Sequence, residues 1–367
     1  MNVLMFSQDA EALREGSATY GRLKAYAETI GTLHVIVRAQ SAGRMIVSDW
    51  LFLYPAAPAG LLGYIRAWHV GRMLCKKYRF DVISVQAPDI SGVIGFFLSR
   101  RFRVPLQLQL HTDYMSPYYR RAGWKERMQY MLGRLLIPRA DCIRAVSERI
   151  CRSLARPAAA LPIYTDVRPF LDAKTDQETE RRFAGFSFKM VAVGRFVEHE
   201  KNFLMLMDMM RGFIAICPDA VLVIVGDGPD RYHYVRRIAK YGLEKNIIIE
   251  PWRDDLPSFL KSFDLFLLSS NYEGWSRAVV EAMAAGLPVV MTDVGLAGEV
   301  VKTQENGMVV PVGDAVAMFE AVRDLWAHPL KRMKLADAAR ATVQEKKAET
   351  YEHYLTLYKS ALVRCTV

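Results

Sequence analysis

Short runs of consecutive apolar residues alternate along the chain with longer segments in which apolar residues recur at helical spacing. Continuous apolar runs, rather than strict alternation with polar residues, are typical of strands buried on both faces of a parallel sheet. The pattern therefore predicts the α/β class. The predicted strands are residues 3–6, 33–37, 50–54, 82–85, 106–110, 142–146, 190–193, 221–225, 247–249, 265–268 and 289–291.

Eleven strands are many for one doubly wound sheet, and the pattern breaks near the middle of the chain. Residues 156–170 contain three prolines, and residues 171–185 are charged and lack apolar periodicity, which is typical of a linker. We therefore expect two Rossmann-like domains of similar size, at residues 1–170 and 171–349. The carboxyl ends of their strands are expected to face each other across a cleft, where open α/β folds bind ligands.

The composition excludes intrinsic disorder and collagen-like repetition, because 51% of the 367 residues are hydrophobic and 24% are charged. The chain opens on a strand-like stretch, so no signal peptide is expected. Its longest uncharged stretch, residues 50–65, is interrupted by prolines and glycines and is too short to span a bilayer. Five scattered cysteines without a C-x-x-C pair predict free thiols in a reducing cytoplasm.

The net charge of +10 is confined to the first half of the chain. Residues 1–170 contain 24 basic and 12 acidic side chains, a charge of +12, which leaves −2 for the rest. A cationic field confined to one half suggests that this half meets an anionic partner. A membrane surface, a phosphorylated substrate and nucleic acid are the three candidates.

Two segments of the first half predict amphipathic helices that combine apolar stripes with arginines and lysines. Helices of this kind lie on anionic bilayers. The same stripes can instead cover a sheet while the cations are solvated, and both interpretations stay open. The stripes are Leu61, Ile65 and Trp68 in residues 61–79, and Trp124, Met128, Met131, Leu132 and Leu135 in residues 120–139.

The second half carries a paired-carboxylate element. A loop with Glu273 follows the strand at residues 265–268, and a helix is predicted from Ser276 to Ala285, which places Glu281 inside it. The free amides at the helix start suit a phosphate, and a carboxylate can hold vicinal sugar hydroxyls. The alternative is two solvated glutamates on a helix with a glycine cap.

Upstream strands end in further polar turns. Gly194 and Arg195 follow one strand, and Lys201 lies in the next loop, so that two cations are available for a diphosphate. The next strand ends in Gly226, Asp227, Gly228 and Pro229. Taken alone, this G-x-G indicates only a tight turn.

In this order and at these separations, the elements resemble the donor half of the family 4 glycosyltransferases (glycosyl transferases group 1, GT-B fold) over residues 185–325. The resemblance implies that Arg195 and Lys201 bind the donor diphosphate, that Glu281 holds the ribose hydroxyls, and that Glu273 lies near the transferred sugar. It also implies donor contacts from Gly194, Gly226, Arg253 and the amides of Ser276, Arg277 and Ala278.

In the first half, the resemblance implies an acceptor-side loop at Gly16 and Ser17 and a histidine near the donor sugar at His111, with Asp113 as a second polar candidate. A lone histidine at a strand end is otherwise a satisfied polar residue. The resemblance further implies that the last helix, at about residues 350–367, crosses back to pack on the first domain.

The function implied is a retaining glycosyltransferase that moves a hexose from a UDP- or GDP-linked donor to a lipid-linked or polysaccharide acceptor, in cell-envelope or exopolysaccharide synthesis. No cofactor is expected, and without a D-x-D motif no metal is expected. The protein is expected to be cytoplasmic, peripheral on an anionic membrane surface, and not to bind nucleic acid.

Other function classes stay open. A nucleotide-sugar epimerase on the same fold and a hydrolase with Glu273 and Glu281 as paired carboxylates are alternatives among enzymes. A non-enzymatic binder of anionic membranes or nucleic acid is the alternative outside them.

Overall fold

The computed structural model describes residues 1–40, 46–58, 60–345 and 350–366. The chain divides into two compact domains, the first comprising Met1–Pro162 with Thr350–Val367 and the second comprising Ile163–Glu349. The first therefore ends at Pro162 rather than at the predicted residue 170. The difference arises because Phe170 and Leu171 are buried in a short helix that packs within the second domain.

The first domain is built on one sheet whose strands are parallel except at one edge. The chain order is β1 (Asn2–Ser7), β2 (Thr32–Arg38), β3 (Ile46–Val47), β4 (Leu51–Ala56), β5 (Val82–Val85), β6 (Leu106–Leu110), β7 (Cys142–Ala145) and β8 (Ala159–Ala160). The spatial order is β3-β4-β2-β1-β5-β6-β7-β8, and only β3 runs antiparallel to its neighbour. The central strands are almost fully buried, and β1 and β5 have mostly apolar sequences.

Helices flank this sheet. They are α1 (Ala18–Ile30), α2 (Leu61–Lys77), α3 (Ile90–Phe102), α4 (Pro117–Ala122), α5 (Trp124–Leu136) and α6 (Glu148–Ser153), with 3₁₀ turns at Ala10–Leu13 and Ile137–Arg139. Helix α3 contacts both α2 and α5. The segment predicted as one helix over residues 120–139 is divided at Gly123, whose extended backbone (φ −177°, ψ −177°) separates α4 from α5.

The second domain has an all-parallel sheet of six strands. They are β9 (Phe188–Val193), β10 (Ala220–Val225), β11 (Ile247–Glu250), β12 (Leu265–Leu268), β13 (Val289–Thr292) and β14 (Met308–Val310), in the spatial order β11-β10-β9-β12-β13-β14. Its helices are α7 (Arg168–Asp172), α8 (Gln177–Arg182), α9 (Glu198–Lys201), α10 (Phe203–Phe213), α11 (Arg231–Tyr241), α12 (Leu256–Leu260), α13 (Arg277–Ala285), α14 (Ala315–Ala327) and α15 (Pro329–Gln344).

The last helix, α16 (Tyr351–Val363), packs on the first domain, as expected. The ring of Tyr358 stacks on Tyr26 with centroids 4.2 Å apart, and its hydroxyl accepts a hydrogen bond from Gln109 Nε2 at 2.9 Å. Buried Arg144 donates from Nη2 to Tyr354 Oη at 3.1 Å. These contacts tie α16 to β6 and β7.

The prediction of five free thiols is wrong for Cys142 and Cys365, which form a disulfide. The return of α16 places Cys365 against β7, with 5.3 Å between the two Cα atoms although 223 residues separate them in sequence. Cys75 and Cys217 are free thiols, as predicted. Sequence spacing carries no signal for a pair brought together only by tertiary packing.

All eleven predicted strands are present, and the predicted α/β class with two Rossmann-like domains is confirmed. The three strands that were not predicted, β3, β8 and β14, have two or three residues each, too few to produce a pattern. Among the described helices, none has both the length and the apolar character that a bilayer crossing requires.

Candidate functional site

The predicted cations and carboxylates of the second domain converge where β9 and β12 end. These strands are parallel neighbours, so the segments after their carboxyl ends meet at one edge of the sheet. The amide N–H of Asn271 donates to the carbonyl of Glu200 at 2.8 Å and joins the two segments. Lys201 Nζ lies 2.6 Å from Glu273 Oε1 and 3.0 Å from Glu200 Oε1.

Lys201 is held as a protonated amine inside the protein. Its side chain is only 14% exposed. Burial lowers the pKa of Lys201, but the nearby carboxylates of Glu273 and Glu200 raise it by more, so that the net direction is upward. The amine therefore keeps its positive charge at neutral pH.

Arg195 joins the same cluster from its solvent side. Its guanidinium Nη2 lies 3.1 Å from Glu200 Oε2, and its side chain is 66% exposed. Glu200 thus bridges the two cations that sequence analysis assigned to a diphosphate. Glu200 itself was not predicted, and its only signal in the sequence is its position beside Lys201.

Glu273 is fixed by its own loop. Ser270 Oγ donates to Glu273 Oε1 at 2.8 Å, and Thr292 Oγ1 donates to the carbonyl of Ser270 at 2.7 Å. Gly295 has a φ of +54°, and a Cβ added there would lie 2.9 Å from Glu273 Cβ. The loop after β13 can therefore approach Glu273 this closely only with glycine at position 295.

The glycines after β9 and β10 pack against each other. Gly226 has a φ of +153°, and a Cβ added to it would lie 1.9 Å from the carbonyl oxygen of Gly194. A Cβ on Gly228 would lie 2.6 Å from the carbonyl of Phe196, whose amide donates to Asp227. The G-x-G turn therefore serves close packing of the two loops at the strand ends, which a lone motif does not reveal.

Helix α13 presents its amino terminus beside this cluster of charges. It begins after Ser276, whose carbonyl accepts the first helical hydrogen bond, from Val280 N–H. The amides of Arg277 and Ala278 therefore have no acceptor inside the helix. Glu281 is 8% exposed, and its Oε1 lies 3.2 Å from Arg277 Nη2. Burial raises the pKa of Glu281, and the Arg277 charge opposes the rise.

Arg253, which the resemblance implies as a donor contact, is already engaged within its own loop. Its guanidinium makes two hydrogen bonds to Asp255, at 2.8 and 2.6 Å, and stacks over Phe259 at 4.2 Å. Its neighbour Trp252 is 54% exposed at the carboxyl end of β11. The aromatic face at this strand end is therefore more accessible to a flat ligand than the arginine is.

In the first domain, His111 follows β6 and lines a cavity of about 250 Å³. Burial, with smaller contributions from Arg144 and Arg22, lowers the pKa of His111 to about 3, so the imidazole is neutral at pH 7. Asp113 turns to its own backbone instead, with Oδ1 accepting from Met115 N–H at 3.2 Å.

Gly16 and Ser17 form the start of α1 rather than part of that cavity's lining. The Ser17 hydroxyl caps the helix by accepting from Tyr20 N–H at 3.0 Å, and it donates to the carbonyl of Glu11 at 2.6 Å. Gly16 has a φ of +83° with open space around it. The loop residues that line the cavity come earlier, at Gln8 and Asp9.

The apolar stripes of the two basic amphipathic helices are only partly exposed, because Trp68, Met128 and Leu132 are half-buried. The inward face of α2 consists of Gly63, Ala67, Gly71 and Leu74, and a Cβ on Gly71 would lie 2.6 Å from Leu98 Cδ1. Small residues thus let α2 approach α3 closely and leave its large apolar side chains exposed. The exposed side chains are Leu61 (74%), Leu62 (63%), Ile65 (48%) and Met73 (53%) on α2, and Trp124 (73%), Met131 (64%) and Leu135 (47%) on α5.

Among the residues that the structure describes, no three histidine, cysteine, aspartate or glutamate side chains converge in a way that could hold a metal ion.

Comparison with known proteins assigns both domains. Residues 187–328 match the model of the glycosyl transferases group 1 family, and residues 24–160 match that of the glycosyl transferase 4-like domain. The chain is 25% identical over 264 residues to the UDP-Gal:alpha-D-GlcNAc-diphosphoundecaprenol alpha-1,3-galactosyltransferase of Escherichia coli, over 68% of this chain and 67% of that one.

A second relative is the lipopolysaccharide core biosynthesis mannosyltransferase LpsB of Rhizobium meliloti, 29% identical over 59% of this chain and 62% of its own length. Among solved structures, Anabaena HepE in complex with UDP and glucose superposes with a TM-score of 0.74 at 20% identity, covering 99% of both chains. At that identity the structural likeness bears on the fold alone.

Proposed function

The chain belongs to the group 1 glycosyltransferases, and from this membership we propose that it transfers a hexose from a UDP- or GDP-linked donor to a lipid-linked or polysaccharide acceptor. We propose retention of anomeric configuration and a role in cell-envelope or exopolysaccharide synthesis. The names of the two sequence relatives, a galactosyltransferase on a diphosphoundecaprenol acceptor and a lipopolysaccharide mannosyltransferase, support this proposal.

The observation that carries the proposal is the charge cluster at the ends of β9 and β12. Lys201 and Arg195 lie on either side of Glu200, beside the free amides of α13. A donor diphosphate fits this arrangement, because its oxygens can replace Glu200 as the partner of both cations. Glu281 can then exchange Arg277 for two ribose hydroxyls, from which its carboxylate can accept hydrogen bonds.

In this mechanism the protein stabilises the leaving nucleoside diphosphate. Negative charge develops on the diphosphate as its bond to the sugar breaks, and Lys201, Arg195 and the α13 amides can stabilise that charge. Fixed cations can supply the electrostatic stabilisation that a divalent metal gives elsewhere, so we propose that the reaction needs no metal. Glu273, held by Ser270 and Lys201, is proposed to contact the transferred sugar.

The function is tested by incubating the full-length protein with UDP- and GDP-linked hexoses, with and without lipid extract as acceptor. We expect one donor to release nucleoside diphosphate, with release strongly stimulated by the acceptor. Release at the same rate without acceptor would indicate a hydrolase. An isomerised sugar without transfer would indicate an epimerase, and either outcome contradicts the proposal.

We further propose that the first domain attaches peripherally to an anionic membrane surface, at the cytoplasmic face. Five of the eight predicted stripe residues on α2 and α5 are exposed, which supports this proposal. Both helices contact α3. Exposed Arg66, Arg72, Lys125 and Arg127 accompany these stripes. Apolar side chains at headgroup depth with surrounding cations fit an anionic bilayer.

Sedimentation with vesicles tests the membrane proposal. Each cation near an anionic surface contributes about 1 kcal/mol, so replacing all four by glutamine should weaken partitioning into phosphatidylglycerol vesicles by about a thousandfold at low salt. A matched variant replaces four exposed cations of the second domain and should partition as wild type does. Equal binding to phosphatidylcholine vesicles, or an equal loss in the matched variant, contradicts the proposal. The matched positions are Arg231, Lys302, Arg323 and Lys334.

A further inference from the structure

A groove of the second domain, between the start of α10 and helix α11, gathers positive charge. Its volume is about 750 Å³. The basic side chains of its lining are Arg236, Arg237, Lys240, His199 and His233. Neither Arg195 nor Lys201 is among the described residues of that lining. The groove is therefore distinct from the charge cluster at the ends of β9 and β12.

Helix α11 places most of these basic side chains on one face. His233, Arg236, Arg237 and Lys240 recur at intervals of three and four residues, so they lie on successive turns. Like charges at this spacing repel one another and destabilise the helix unless a counter-ion lies near them. Helix α11 contains four lysines and arginines and no acidic residue, although the chain after residue 170 has a net charge of −2. Nothing in the sequence of α11 neutralises this face.

One of the three arginines and lysines of the groove has a carboxylate partner in the described part of the chain. Arg237 Nη1 lies 3.1 Å from Asp208 Oδ1. Arg236 stacks over the Tyr232 ring at 5.6 Å, and no carboxylate oxygen of the described residues lies within 4.0 Å of Arg236 or Lys240. These two cations are available to an anion from outside the protein.

The two carboxyl groups of the lining are held by backbone amides rather than by these cations. Asp230 Oδ2 accepts from Glu198 N–H at 2.7 Å, and Glu198 Oε2 accepts from Leu204 N–H at 3.3 Å. Burial raises the pKa of Glu198 to about 7, so about half of this carboxyl group is neutral at pH 7. Asp230 precedes α11, whereas Arg236 and Lys240 lie about two and three turns further along. An anion bound at the cations is therefore separated from Asp230.

A phosphate group matches these donors. A guanidinium binds phosphate oxygens through paired N–H groups, and an ammonium adds a compact positive charge. Leu204 is the one apolar side chain in the described lining, so an apolar ligand would bury little surface there. The volume lies within the 300–1,000 Å³ range of small-molecule pockets and exceeds what a single phosphate ion fills. Charge and size together favour a phosphate-bearing small molecule.

We propose that the groove between α10 and α11 is an anion site that binds a phosphate-bearing small molecule, with Arg236 and Lys240 contacting its phosphate group. Arg237, oriented by Asp208, borders the phosphate. The site is separate from the donor cluster, although His199 in its wall belongs to the short helix α9 (Glu198–Lys201), which also carries Lys201. The inference goes beyond the proposed transferase function and does not depend on it.

Acetylation of lysines locates the bound anion. The full-length protein is treated with a limiting amount of an acetylating reagent at increasing concentrations of inorganic pyrophosphate, with sodium chloride keeping the ionic strength constant. Peptide mass spectrometry then measures the modification of each lysine. At about ten times the Kd, we expect acetylation of exposed Lys240 to be about tenfold slower, in proportion to the occupancy of the site. Acetylation of Lys334, exposed on α15, should be unchanged.

The variant Arg236→Gln tests the arginine. Glutamine has a helix propensity close to that of arginine, so the melting temperature should change little. We expect the pyrophosphate concentration that half-protects Lys240 to rise about tenfold or more, the effect of losing hydrogen bonds to a charged group. The matched control is Arg323→Gln, at an exposed arginine of α14, which should leave the protection unchanged. Lys201→Met, a change in the donor cluster, should also leave Lys240 protected.

Four results would overturn the inference. Acetylation of Lys240 that pyrophosphate does not slow would show that no phosphate binds in the groove, and equal protection by succinate would show that the groove does not select phosphate. Loss of the protection in Lys201→Met would place the anion at the donor cluster. Protection by phosphatidic acid vesicles without protection by pyrophosphate would identify a membrane surface instead. Because none of these results involves donor turnover, the inference and the proposed function fail separately.

Discussion

Replacing Lys201 by methionine removes one buried charge while keeping the aliphatic volume of the side chain. In the wild type, Nζ lies between Glu273 at 2.6 Å and Glu200 at 3.0 Å. The Lys201→Met variant leaves both carboxylates without that cation, although Ser270 still donates to Glu273 and Arg195 still contacts Glu200. The variant therefore tests whether this amine neutralises two carboxylates in the free enzyme and a diphosphate in the complex.

The magnitude follows from burial. The side chains of Lys201 and Glu273 are 14% and 10% exposed, and removing one partner of a buried ion pair costs about 3–5 kcal/mol. Because Ser270 and Arg195 remain, we expect the lower end, about 3 kcal/mol. For a domain the size of Ile163–Glu349, this corresponds to a melting temperature lower by about 6–12 °C.

Differential scanning fluorimetry with and without UDP or GDP measures both effects. We expect Lys201→Met to melt lower and to lose most of the shift that the nucleotide causes. The double variant Lys201→Met/Glu273→Gln should recover more than half of the lost stability without recovering the nucleotide shift. Lys302→Met, a change in an exposed pair with Glu305, is the control and should change neither. Wild-type stability together with a wild-type nucleotide shift in Lys201→Met would refute the reasoning.

Three further predictions concern the second domain. Burial raises the pKa of Glu198 from 4.5 to about 7, so the contribution of this carboxyl group to stability is complete below about pH 4.5 and is lost as the pH rises toward 7. The Glu198→Gln variant should therefore show a flatter dependence of melting temperature on pH in that window. An unchanged slope would contradict this prediction. Gly226→Ala places a Cβ against the Gly194 carbonyl and should lower the free energy of unfolding in urea by about 3 kcal/mol. Gly185→Ala is the control, because a Cβ at that position meets open space, and it should not lower the free energy of unfolding. Equal effects of the two substitutions would contradict the close packing of Gly226 against Gly194. Glu281→Gln should abolish the preference for UDP or GDP over the corresponding 2′-deoxynucleotide in calorimetric titrations, and a retained preference would remove Glu281 from the ribose site.

The strands were predictable because buried parallel strands require apolar residues on both faces, and the resulting continuous runs are visible without structure. The same holds for the start and end of α13, where Ser276 precedes the helix and Gly286, with a φ of +85°, ends it. Strands β3 and β8 were not predicted because each has only two residues, which are too few to produce a recognisable hydrophobic pattern.

Other features depend on tertiary contacts that sequence spacing does not encode. The exposure of Leu61 and Ile65 depends on which face of α2 packs inward, although the small residues Gly63, Ala67 and Gly71, four positions apart, were a usable signal for close packing. Glu200 became a candidate only when Lys201 and Arg195 were found on either side of it.

The central claim is that the second domain activates a nucleotide-linked hexose for transfer, and labelled transfer tests it most directly. The full-length protein is incubated with UDP- or GDP-hexose carrying ¹⁴C in the sugar and with membrane lipid extract, and label is counted in the lipid and polysaccharide fractions. The account predicts acceptor-bound label with wild type and a loss of about a hundredfold or more with Lys201→Met/Glu281→Gln, because two interactions with the donor are removed together. Equal transfer by this double variant, or label that never leaves the nucleotide with any donor, would contradict the account.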